Sequence, residues 1–108
     1  MIARIWRGAV DLADGNAYAA HLVGDDGGIA DYTDVPGNLG AWVLRANSHN
    51  RAEFVMFSLW ESMDAIKAYA GDNPDRAVFY DKDQRYLIER EEIVSHFEVV
   101  GQGSPSCG

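Results

Sequence analysis

Ala52-Glu53-Phe54-Val55-Met56-Phe57-Ser58-Leu59-Trp60 is the stretch that decides the fold. In an extended chain successive side chains point to opposite faces. Phe54, Met56, Ser58 and Trp60 therefore share one face, and Val55, Phe57 and Leu59 the other. Both sets are mainly apolar, so both faces of this strand call for cover. The polar run Ser48-His49-Asn50-Arg51 before it reads as a hairpin loop. Leu39–Ala46 reads as the partner strand, entered through the turn Pro36-Gly37-Asn38.

Beyond Trp60, Ser62 is placed to cap a helix over Met63–Ala70, in which Ala65, Ile66 and Tyr69 recur at helical spacing. Gly71 stands just past its end, where glycine is favoured. Asn73-Pro74 reads as the start of a further short helix, with Pro at the first helical position. Asp81–Leu87 adds another turn or two, and Ile93–Val100 is the last strand. Toward the N-terminus, Ile2–Val10 is rich in β-formers. Asp11 offers a cap for a helix carrying Leu12, Tyr18, Ala19, Leu22 and Val23. Gly24–Gly28 interrupts that helix, and a short helical piece resumes at Ile29–Tyr32.

The order is β-α-β-β-α-β, the ferredoxin-like split βαβ pattern: an α+β fold with an antiparallel sheet. Helices cover one face of such a sheet. An apolar second face needs hiding too, and a second copy packed sheet to sheet hides it. That is the physical ground for expecting a homodimer.

The 108 residues make one domain, placed at 1–100, with Gly101–Gly108 read as a disordered tail. With 47% hydrophobic residues, including three Trp, five Tyr and four Phe, the chain is not a disordered one. Seventeen acidic residues against nine basic give a net charge of -8, so no basic face is available to bind nucleic acid. An anionic membrane surface is repelled for the same reason. The single cysteine, Cys107, leaves no internal disulfide. The start lacks a signal-like apolar run and no stretch reaches transmembrane length, so a cytoplasmic location is expected.

Ser58-Leu59-Trp60-Glu61-Ser62, followed by Ala65-Ile66 and Ala70-Gly71, resembles the antibiotic biosynthesis monooxygenase family. Ile5-Trp6, Pro36-Gly37-Asn38 and Val94-Ser95-His96-Phe97-Glu98-Val99 extend the likeness over nearly the whole chain. The resemblance implies a dimeric α+β barrel with one pocket per subunit. It further implies oxidation of an aromatic or polyketide-like small molecule by O₂ without a cofactor. Other relatives bind or degrade haem, rearrange lactones, or have no assigned reaction. Quinone-forming members carry an Asn four residues before the strand-three Trp, where this chain has Met56. Their helical Tyr six residues after it falls on Ile66. Haem-degrading members carry a ligating His after the second helix, where Asn73–Tyr80 has none.

The candidate residues follow from pattern and resemblance together. Trp60 ends its strand, where it stacks on a flat ligand or closes the core, with Met56 and Ser58 on the same wall. His21 lies three residues after Tyr18, on one helical face, as a base for an acidic phenol or as a packing residue. His96, in the last strand, is the alternative base or an interface residue. Trp6 and Trp42 read as core or interface, and His49 as solvated. Tyr69 and Tyr80, with Phe79, are placed to flank a pocket mouth or to fill the core. Asp81, Asp83, Glu89, Glu91 and Glu92 read as a solvated acidic face with no metal-site spacing. Gly24-Asp25-Asp26-Gly27-Gly28 puts two acids where a phosphate would sit, which argues against a nucleotide. Three readings follow: a monooxygenase-like enzyme, a binder of haem or an apolar ligand without turnover, and a dimer with a vestigial pocket.

Overall fold

A computed structural model describes residues 1–24, 27–79 and 81–105. Its sheet is built from β1 (Ile2–Asp11), β2 (Asn38–Asn47), β3 (Arg51–Trp60), β4 (Leu87–Arg90) and β5 (Ser95–Glu98). The helices are α1 (Gly15–Val23), α2 (Gly28–Thr33), α3 (Met63–Ala70) and α4 (Asp81–Tyr86). The sheet order is β2-β3-β1-β4, with β5 also on β1, and every pairing is antiparallel. This is the ferredoxin-like α+β arrangement expected from the element order.

Register explains which residues are inside. β1 runs against β3 with Arg4 opposite Ser58, Trp6 opposite Met56, Gly8 opposite Phe54 and Val10 opposite Ala52. Directly opposed residues share a face, so the even positions of both strands point together. Trp6, Val10, Ala52, Phe54, Met56 and Trp60 join Tyr18 and Leu22 of α1, Tyr32 of α2 and Ile66 of α3 in one buried cluster. Ser62 caps α3 as its sequence suggests, accepting from the Ala65 amide at 3.2 Å. Gly71 closes that helix with a positive φ of 86°, which glycine alone adopts without strain. The opposite sheet face is open in the single chain: Trp42, Leu44 and Phe97 are 46%, 50% and 55% exposed.

Three local expectations change. Asp11 does not cap α1. It stays in β1, opposite Arg51, and the Leu12 amide bonds to the Asn50 carbonyl, so a 3₁₀ turn at Leu12–Asp14 intervenes. No helix starts at Pro74. Pro74-Asp75 form a turn closed by the Arg76 amide on the Asn73 carbonyl; the Pro74 and Arg76 carbonyls accept from the buried Arg4 guanidinium, Ala77 bonds to Glu92 and Val94 to Asp75, so tertiary partners keep the segment out of a helix. The expected last strand, Ile93–Val100, shortens to β5, and the sequence reading lacks β4 before it. β4 pairs with Gly8–Val10 and β5 with Ile2–Ile5, while Ile93 between them leaves the sheet to bridge Arg76.

Candidate functional site

Between the sheet and the helices lies a small cavity lined by Arg4, Trp6, Tyr18, Tyr32, Met56 and Tyr69, with Asp83 and Val78 among its other walls. Its volume is about 20 Å³, room for one water. Val78 lines it while remaining 38% exposed, so the wall there is one side chain thick. A larger hollow of about 480 Å³ opens on the outer sheet face near Arg7, Leu44, Glu53 and Val55. It is open to solvent and its charged groups are exposed, so chemistry that needs desolvated groups is better served by the inner cavity.

One end of the cavity is acidic. The Tyr18 hydroxyl donates to Asp83 Oδ1 at 2.7 Å, and His21 Nε2 stands 3.5 Å from the same oxygen. All three side chains are buried. Asp83 arrives from α4, which folds back across α1. The acidic run that reads as solvated thus contributes one carboxylate to the interior, because Tyr18 offers it a donor there. Burial, then the hydrogen bond to Asp83, then its charge hold the Tyr18 pKa far above the usual phenol value, so Tyr18 stays a neutral donor.

The other end is cationic. Arg4 is 1% exposed. Besides the Pro74 and Arg76 carbonyls, its Nη1 lies 3.0 Å from His96 Nε2, and His96 Nδ1 lies 3.2 Å from Asp75 Oδ1. Arg4 can only donate, so His96 accepts at Nε2 and gives its Nδ1 proton to Asp75. Burial first, and then the Arg4 charge, lower the His96 pKa against the pull of Asp75. Both ring nitrogens are committed, and His96 is not in the cavity wall. It holds Arg4 instead.

Trp60 is fully buried and donates its indole N–H to Ser58 Oγ at 2.8 Å. Tyr32 meets Trp60 edge-on at 5.8 Å and Tyr69 edge-on at 4.5 Å, a three-ring cluster behind the cavity. Trp60 and Tyr69 sit on the strand and helix joined through Ser58-Leu59-Trp60-Glu61-Ser62, and Tyr32 on α2.

Residues 28–78 match the antibiotic biosynthesis monooxygenase family. The family resemblance read from the sequence is borne out by this match. A Bacillus cereus protein provisionally named an antibiotic biosynthesis monooxygenase superposes with a TM-score of 0.67 at 16% identity, over 96% of this chain and 97% of that one. A Nitrosomonas europaea protein of the same provisional name gives 0.68 at 15%, over 94% and 100%. At such identities the likeness establishes the fold. No curated protein matches the chain significantly.

Of the residues singled out from the sequence, Tyr18, Met56 and Tyr69 reach the cavity wall. Trp60 and Ser58 bond to each other one layer behind it, and His21 backs Asp83. Tyr80 lies outside the described residues. Met56 and Ile66, where quinone-forming relatives carry Asn and Tyr, are both buried apolar residues, and only Met56 touches the cavity. Sequence reading missed Arg4, Asp83 and Tyr32. Arg4 carried a signal, being the one charged residue on the even-numbered face of β1.

Haem does not fit the described residues. His96 has both nitrogens engaged and His21 Nε2 faces a carboxylate, so neither offers a ligand to the cavity. No helix among the described residues is long and apolar enough to cross a membrane.

Proposed function

We propose that this chain is a monooxygenase-type enzyme that oxidises a small aromatic molecule with O₂ in the cavity between sheet and helices. The observation that carries the reading is the buried Tyr18–Asp83–His21 group at a wall that also carries the rings of Trp6, Tyr32 and Tyr69. Asp83, oriented by the Tyr18 hydroxyl, accepts the proton of an acidic C–H or O–H, and His21 stabilises the result. The resulting anion reduces O₂ in a site closed to water. For a methylene between aromatic rings, CH₂ becomes C=O: four electrons pass to O₂, one oxygen enters the product, and the other leaves as water with the two hydrogens. The cavity is water-sized as it stands, so a ring enters as the thin wall at Val78 gives way.

Oxygen uptake with a panel of anthrones and hydroquinones tests this. Uptake that Asp83→Asn lowers by roughly 10²–10⁴-fold supports it. No uptake with any member, from a correctly folded protein, overturns it. A second reading, binding of an apolar ligand without turnover, is favoured by Met56 and Ile66, which lack the polar groups of the quinone-forming pattern. Saturable binding without oxygen uptake selects it. In either case the functional unit is a homodimer, supported by the open apolar face that carries Trp42, Leu44 and Phe97.

A further inference from the structure

Arg4 is a cation with its surroundings only half arranged for it. A buried guanidinium costs several kcal/mol to desolvate and is normally met by a carboxylate. Among the described residues no carboxylate lies within ion-pair distance of Arg4. Its partners are two carbonyls, the neutral face of His96 and the Tyr69 ring, 5.9 Å from the guanidinium carbon. Asp75, the nearest acid in this chain of contacts, stands behind His96 and is itself mostly exposed. The Arg4 Nε–H is buried and has no hydrogen-bond partner among the described residues. Neutral acceptors satisfy single N–H groups but leave the net charge standing, and a water at Nε would do no more.

This residue lines the cavity together with Trp6, Tyr18, Tyr32 and Tyr69. A flat ligand with an anionic oxygen supplies what is missing: an acceptor for Nε and a countercharge. The carboxylate at the other end, Asp83, already has Tyr18 and His21 beside it. The cavity is therefore polarised, positive toward β1 and negative toward α4. That polarity orients a ligand with its anionic oxygen at Arg4 and its acidic hydrogen at Asp83.

We propose that Arg4, held in place by His96 and Asp75, is the recognition point for an anionic oxygen carried on a small aromatic ring. Substrates of this chain are on that account aromatic acids or acidic phenols rather than neutral arenes. The inference rests on the reading that this cavity is the ligand site.

Calorimetric titration of the wild-type protein with isosteric pairs, benzoate against benzamide and 2-naphthoate against 2-naphthamide, tests it. The expected result is carboxylate binding at least tenfold tighter than amide binding, a preference that Arg4→Met removes. Substitution of His96 by Gln, which can still accept from Arg4, keeps the preference, whereas His96→Leu weakens it. Equal affinities for acid and amide in the wild type overturn the role of Arg4 and leave the cavity reading intact. No binding of either member overturns both. The wild-type comparison decides the matter even if Arg4→Met does not fold.

Discussion

The Tyr18 hydroxyl donates to Asp83 Oδ1 at 2.7 Å across 65 residues of sequence, and through that bond α1 holds α4. Tyr18→Phe deletes the donor and leaves a buried carboxylate short of a partner. The expected loss is about 1–3 kcal/mol, read from urea unfolding. A change under about 0.5 kcal/mol, the range of ordinary surface substitutions, counts against the structural weight given to this bond.

His96 gives stability a direction in pH. Its folded pKa lies below the free value of 6.5. Below about 6.5 the unfolded chain takes up a proton that the folded chain still refuses, so this contribution is complete above that point and is lost as pH falls. His96→Gln keeps an acceptor for Arg4 and removes the titration. Its stability is expected to fall less steeply than the wild type's from pH 6.5 downward. Parallel curves for the two proteins would contradict the assignment.

Gly28 opens α2 against the cavity, and a Cβ placed on it would come 3.1 Å from Met56 Cε. Gly28→Ala therefore narrows the cavity while Met56, a flexible side chain, moves aside. Alanine also favours the helix by up to about 1 kcal/mol over glycine. Stability is expected to hold or rise slightly, and aromatic ligand affinity to drop. Undiminished affinity in a folded Gly28→Ala protein places the ligand elsewhere.

Trp42 packs against Phe57, with ring centres 5.6 Å apart, on a face that is otherwise open. Trp42→Asp puts a charge where the proposed partner sheet would lie. Sedimentation is expected to show a dimer for the wild type and a monomer for the variant, with little change in monomer fold. A wild type that sediments as a monomer at micromolar concentration removes the basis for the dimer.

Sequence alone carries the fold a long way because strands announce their faces. The alternation in Phe54–Trp60 places Met56, Ser58 and Trp60 on the inner face, and all three are buried there. The three-residue step from Tyr18 to His21 brings their rings within 5.7 Å. What stayed hidden depends on partners distant in sequence. Arg4 looks like any strand-edge arginine until β1 is laid against β3 with Ser58 opposite it. Asp83 looks solvated among Asp81, Glu89 and Glu91 until α4 turns back onto Tyr18. β4 went unread, and the gap between it and β5 holds Ile93, bridged to Arg76 by a contact no local pattern encodes.

That gap also bears on what this edge of the sheet does in a crowded solution. An unbroken outer strand offers an incoming chain a row of free amides and carbonyls, the template on which fibres grow. Here β4 and β5 are four residues each, and between them the backbone turns toward Asp75–Ala77 and spends its hydrogen bonds there. At this edge no newcomer finds more than four residues in step. The loop that seats Arg4 thereby blunts this edge against stray strand addition.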